Sequence, residues 1–169
     1  MSASATRDGS GVLEGPVRST LAVEHLMDID LKFQETQIFP TPAAFRLIAV
    51  AGTGTFEGPR LRGTIRPGGG DWLTMGKDLI CRLDIRATLR TDDAEYIYLT
   101  SGGRVALADS AAMQRYLAGE TLRAADMHAR TLPVFETGAE RYAWLNRTVN
   151  VGFAELSLTH ITYRVYTIE

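Results

Sequence analysis

The stretch Leu79-Ile80-Cys81-Arg82-Leu83-Asp84-Ile85-Arg86-Ala87-Thr88-Leu89-Arg90 alternates without a fault. In an extended chain Leu79, Cys81, Leu83, Ile85, Ala87 and Leu89 fall on one side, and Ile80, Arg82, Asp84, Arg86, Thr88 and Arg90 on the other. At ~3.3 Å per residue such a strand spans about 40 Å. A strand of that length, in a chain rich in reversals, favours a strongly twisted sheet that closes on itself and so removes its exposed edges. The expected fold class is therefore all-β, a single antiparallel β-barrel.

Working outward, the same alternation recurs from Thr20 onward, broken by Gly, Pro or Asp-containing turns. It predicts strands over Ser19–Leu31, Phe45–Phe56, Arg60–Ile65, Asp71–Met75, Leu79–Arg90, Glu95–Ser101, Ala143–Phe153 and His160–Ile168. The reversals are assigned to Gly58-Pro59, Pro67-Gly68-Gly69-Gly70, Asp92-Asp93 and Gly102-Gly103, residues that supply positive or fixed φ. The triple glycine reads as a plain loop or as a backbone nest for an anion. One helix is predicted over Ser110–Ala118: Asp109 or Ser110 caps it, Met113, Tyr116 and Leu117 form its apolar stripe, and Gly119 ends it. Its expected place is over one barrel end. The Ser, Gly and Ala-rich residues 1–18 read as a disordered tail and 19–169 as one domain.

Bulk properties narrow the function. The chain has 169 residues, enough for one well-buried core. Its 18 Lys+Arg against 20 Asp+Glu give a net charge of −2, so no broad positive field attracts nucleic acid or anionic lipid, and neither is an expected partner. The single cysteine, Cys81, precludes an internal disulfide. With no secretory signal pattern and no long apolar run, the expected location is cytoplasmic. Three scattered histidines lack ligand spacing, so no metal is expected; no phosphate loop, dinucleotide fingerprint or nucleophile elbow appears, so no cofactor is expected either.

Several segments, taken in order, resemble the family called domain of unknown function 3237. They are Gly54-Thr55-Phe56-Glu57-Gly58-Pro59-Arg60-Leu61-Arg62-Gly63, Pro67-Gly68-Gly69-Gly70-Asp71-Trp72, Leu83-Asp84-Ile85-Arg86 and Leu89-Arg90-Thr91-Asp92-Asp93, followed by Ile97-Tyr98, Phe135-Glu136-Thr137-Gly138, Arg141-Tyr142-Ala143-Trp144-Leu145-Asn146-Arg147 and Val151-Gly152. The resemblance runs from about Ser19 to the C-terminus. It implies a β-barrel of about ten strands and no established activity. The chain departs from the pattern at Met127-His128-Ala129, where consecutive aromatics are expected, and over Gly103–Ser110, in place of a short basic turn.

The candidate chemistry lies on polar faces. Arg82, Asp84 and Arg86 alternate on one side of their strand, as Tyr142, Trp144 and Asn146 do on theirs. Spacing alone favours Arg82, Asp84 and Arg86 as solvated cross-strand pairs around a dry core. Their place in the family-like motifs tips the expectation toward the barrel lumen, where Asp84 serves as a base or as a fixed ion-pair partner. Asp71-Trp72 enters a strand from the barrel rim, Trp72 forming a flat wall beside a carboxylate or simply filling core. His128 suits proton transfer if it reaches the pocket, although a loop histidine is ordinarily solvated. Glu57 and Arg60 flank the Gly58-Pro59 turn and either clamp each other or bind a substrate carboxylate.

Together these lead to an expected cofactor-independent enzyme that moves protons on a small molecule inside the barrel, by isomerisation, elimination or cyclisation. Asp84 or Asp71 acts as base and acid and Arg86 stabilises negative charge, with His128 a further catalytic candidate. Trp72, Tyr98, Tyr142, Trp144, Asn146, Glu57 and Arg60 bind a ligand of aromatic or polyketide-like character. The alternative is a non-catalytic, lipocalin-like barrel for a hydrophobic metabolite. In either case the apolar side of the longest strand needs cover, and a homo-oligomer is one way to provide it.

Overall fold

The computed structural model describes residues 20–169; the expected disordered tail at 1–18 lies outside the described residues. Alternating segments form β1 (Val23–Pro40), β2 (Phe45–Glu57), β3 (Arg62–Met75), β4 (Ile80–Thr91), β5 (Tyr96–Leu107), β6 (Met127–Glu136), β7 (Val149–Leu156) and β8 (His160–Ile168). Each pairs antiparallel with its sequence neighbour, and β8 returns to β1, closing an up-and-down barrel. The all-β barrel expected from the alternation is present with eight strands in place of about ten. None of its helices is long and apolar enough to cross a membrane among the described residues.

Two of the four expected reversals are turns. At Gly58-Pro59 the Gly58 N–H is donated to the Leu61 carbonyl at 2.8 Å, and around Asp92-Asp93 the Thr91 N–H is donated to the Glu95 carbonyl at 2.9 Å. The other two lie inside strands. The predicted strands Arg60–Ile65 and Asp71–Met75 are one strand, β3, whose register shifts across Gly68–Gly70 and whose Gly68 has φ +102°. The predicted strand Glu95–Ser101 runs on through Gly102-Gly103 to Leu107. Gly103 is required there by crowding rather than by a turn: a Cβ would run into the Arg130 carbonyl oxygen on β6.

The segment expected as strand from Ala143 begins instead as a 3-10 helix, Glu140–Arg147. Tyr142 and Leu145 stand three apart, so in a 3-10 turn both face the barrel, and both are buried. Asn146 fixes the turn. Its Oδ1 accepts from the Thr137 N–H and its Nδ2 donates to the Thr137 carbonyl, each at 2.9 Å. Strand β6, which the sequence reading left out, carries Met127, Ala129, Thr131 and Phe135 inward.

The predicted helix is α1 (Ser110–Leu117), with Asp109 Oδ1 accepting from the Ala112 N–H at 2.8 Å and Gly119 following at φ +89°. Ala112 and Tyr116 are its buried residues.

The interior has two storeys. At the end closed by the 3-10 helix, Met27, Phe56, Leu89, Ile97, Leu145 and Val165 pack into a solid cluster. At the end covered by α1, Leu47, Val105, Tyr116, Leu122 and Met127 form a second cluster that does not fill its space. The wall is unevenly stitched: β6 and β7 share one register pair, Thr131 with Gly152, whereas β7 pairs with β8 along its whole length. At the closing seam between β1 and β8, Arg164 donates from Nε and Nη2 to both Asp28 oxygens at 2.8 Å, a fork that holds the Asp28 carboxyl below its ordinary value.

Phe56 is 1% exposed within the solid cluster. Phe56→Ala is expected to lower the free energy of unfolding in urea by about 3–5 kcal/mol; a loss below about 1 kcal/mol would mean that this storey is loosely filled.

Candidate functional site

A closed sheet has one inside, and each strand can turn only one of its two faces toward it. Burying an aliphatic side chain stabilises by about 1.5–3 kcal/mol, whereas taking an unpaired charge out of water costs several. The hydrophobic face of β4 therefore takes the inside. Leu83, Ala87 and Leu89 face the interior; Arg82, Asp84 and Arg86 are exposed. The expectation that the charged face lines the lumen is overturned. Asp84 and Arg86 meet each other on the outer surface at 3.4 Å, with side chains 55% and 59% exposed.

The lumen is nevertheless hollow. Within the α1-end storey lies a cavity of about 350 Å³, walled by residues such as Phe33, Leu47, Leu73, Leu83 and Val105, with Met113 and Tyr116 of α1 beside it. That volume lies at the lower end of the range for small-molecule pockets. Of the sequence candidates Asp71 and Arg86 border this cavity, and the Arg86 guanidinium is turned outward to Asp84. Asp71, Leu73 and Met75 follow the glycine bulge of β3 and line the cavity together, which puts a carboxyl among aliphatic side chains.

The Asp71 carboxyl is held by the chain beside it. Between the Asp71–Ile85 and Thr74–Arg82 pairs the β3–β4 ladder opens, and there the Asp84 backbone N–H is donated to Asp71 Oδ1 at 3.0 Å. Loss of solvation pushes the Asp71 pKa up to about 7; the N–H bond opposes this rise and the Asp84 charge adds to it. A carboxyl titrating there exchanges protons readily at neutral pH.

Other polar groups share the cavity, and the sequence reading assigned them no role. Burial pushes the hydroxyls of Tyr163 on β8 and Tyr116 on α1 above the ordinary phenol value, and the Asp71 charge pushes both further. Burial likewise raises the Cys81 thiol to about 11, so it stays protonated. Thr131 is 1% exposed on the β6 wall. These residues alternate with aliphatics on inward faces, and that pattern was the available signal. Tyr163 stands between Ile161 and Val165, and Cys81 belongs to the apolar side of β4.

The remaining candidates do not join this cavity. Trp72 and Tyr98 are 36% and 43% exposed, and Arg46 Nη1 donates to the Trp72 carbonyl at 3.1 Å. His128 lies on strand β6 rather than in a loop, and is exposed. Asn146 serves as the clasp on Thr137.

Glu57, Arg60 and Tyr142 converge elsewhere, in a polar cleft of about 320 Å³ at the end closed by the 3-10 helix. Arg60 lies over the Trp144 ring at 3.7 Å, a cation–π contact. The Tyr142 hydroxyl donates to Asp93 at 2.7 Å while Arg141 meets the same carboxylate at 3.0 Å. Many of the residues quoted for the family resemblance thus braid the turns of the solid end. Among the described residues, no group of three or more His, Cys, Asp or Glu gathers as metal ligands.

The comparisons agree with this architecture. The chain is 25% identical over 123 residues to a UPF0311 protein of Rhodopseudomonas palustris, a match covering 73% of this chain and 79% of that protein. The crystal structure of a conserved protein of unknown function from Rhodopseudomonas palustris superimposes with a TM-score of 0.83 at 22% identity, covering 90% of this chain and all of that one. An enzyme from Penicillium herquei superimposes with a TM-score of 0.67 at 21% identity, covering 92% and 99% of the two chains. The family model described as protein of unknown function, DUF3237, matches residues 21–168, and the chain belongs to that family.

Proposed function

We propose that this barrel is a cofactor-independent enzyme that moves a proton on a small apolar molecule held in the lumen, with Asp71 as the base that takes the proton and the acid that returns it. The observation that carries the reading is the Asp71 carboxyl in an apolar cavity, its pKa pushed up to about 7. A base is most effective when its pKa lies near the working pH, because the unprotonated form is then both populated and strong. The Asp84 N–H on Oδ1 fixes the orientation of the carboxyl. The hydroxyls of Tyr116 and Tyr163, which stay protonated, are donors for an oxygen that gains negative charge as the proton leaves.

Isomerisation, elimination and cyclisation all begin with such a transfer. That a barrel of the same fold is named an enzyme in Penicillium herquei supports a catalytic use of this architecture. Asp84, Arg86 and His128 have no part in this version, since their side chains face outward.

The test is hydrogen exchange. Aryl ketones such as 2-tetralone carry acidic C–H bonds, and their uptake of deuterium from D2O is followed by NMR with and without protein. The wild-type protein should accelerate uptake with a rate that rises with pH through about 7, and Asp71→Asn should lose about 100-fold or more while still binding the ketone. Binding without exchange in either form would identify a carrier barrel instead.

The same carboxyl makes stability depend on pH. Its folded pKa of about 7 lies above the ordinary carboxyl value of about 3.8, so the folded state holds the proton to higher pH than the unfolded state does. Its contribution is complete below about pH 4 and is lost as pH rises to about 7. Relative to wild type, Asp71→Asn should therefore gain stability across that window, with a ceiling of about 4 kcal/mol. Urea unfolding of both forms at pH 4.5, 6 and 8 measures the gap, and a constant gap would mean an ordinary carboxylate.

A further inference from the structure

We infer that Thr131 is the polar anchor of the lumen, and that its ligand is an uncharged, largely apolar molecule whose hydroxyl or carbonyl oxygen meets the Thr131 hydroxyl. The inference rests on the reading that the lumen is the ligand site, and adds the ligand's chemical class and a second point of attachment.

Thr131 is 1% exposed. Among the described residues its Oγ1 is the buried side-chain polar atom without a hydrogen-bond partner. An unpaired buried hydroxyl is destabilising, and valine has nearly the same shape without that cost. The inward neighbours on β6, Ala129 and Pro133, offer the hydroxyl no side-chain partner. Yet the wall makes room for it: a Cβ on Gly152, directly across the β6–β7 pair, would run into Thr131 Oγ1. A donor-acceptor group is thus kept unsatisfied beside a ligand-sized hollow.

The charge of the ligand follows from what the cavity lacks among the described residues. Arg86 is the one basic residue bordering it, and that guanidinium is turned outward to Asp84. A ligand carboxylate would be desolvated beside the Asp71 carboxyl with no cation to meet it, which disfavours an anion strongly. Asp71 on β3 and Thr131 on β6 lie three strands apart around an eight-strand barrel, so they approach a ligand from different sides. The fitting molecule has an acidic proton toward β3, an oxygen toward β6 and an apolar body between.

The probes are 2-naphthol, naphthalene and 2-naphthoate, titrated at pH 7 against wild type, Thr131→Val and Thr131→Ser. Wild type should prefer 2-naphthol to naphthalene and bind 2-naphthoate least. Thr131→Val should weaken 2-naphthol by about tenfold and leave naphthalene unchanged; Thr131→Ser should restore the preference. With the unpaired hydroxyl removed, ligand-free Thr131→Val should melt about 2–4 °C higher. The inference is overturned if wild type shows no preference for 2-naphthol, if Thr131→Val leaves that preference intact, or if 2-naphthoate binds as well. The two readings separate cleanly. A Thr131-dependent preference without deuterium exchange removes the enzyme and keeps the anchor, whereas exchange with no Thr131 effect does the reverse.

Discussion

Closure is the constraint from which the rest follows. Once eight strands form a ring, every strand has one dry face and one wet face, and a shift of a single residue exchanges them. In β4 that choice sends Leu83, Ala87 and Leu89 inward and leaves Arg82, Asp84 and Arg86 to the solvent. In β2 a shift between Val50 and Gly54 lets Ala49 and Ala51 face inward on one side of it and Phe56 on the other. The cavity exists because small and medium side chains such as Ala49, Ala51 and Ala87 line its wall, and the solid storey exists because Phe56 and Leu89 fill theirs.

The sequence made the barrel legible because alternation is written into each strand separately. The long β4, the Gly58-Pro59 and Asp92-Asp93 turns and the capped helix after Asp109 could all be read locally. What misled was glycine, which serves turns and crowded strands alike. At Gly103 the deciding fact is a neighbouring carbonyl from β6, and no local pattern contains it. Likewise Tyr142, Trp144 and Asn146 alternate like a strand, while the burial of Tyr142 with Leu145 and the clasp on Thr137 belong to a 3-10 turn.

The site was half legible for the same reason. Asp71 and Asp84 are both acids on adjacent strands, and in sequence they look alike. Their fates differ because the bulged β3 turns Asp71 inward and β4 turns Asp84 outward. Only the register brings the Asp84 backbone to the Asp71 carboxyl, so Asp84 matters here through its N–H rather than through its side chain. Thr131 could not be found without β6, a strand interrupted by Pro133 and by the polar His128 and Arg130.

The order of pairing also shapes how the molecule comes into being. Seven of the eight seams join strands that follow one another in the chain, contacts that cost little loop entropy to make. The eighth joins β1 to β8, where Asp28 meets Arg164 across 136 residues of sequence. Without that seam the eight strands would be an open sheet with its aliphatic face wet. The hollow thus depends on the β1–β8 seam, and a chain without β8 would enclose no volume.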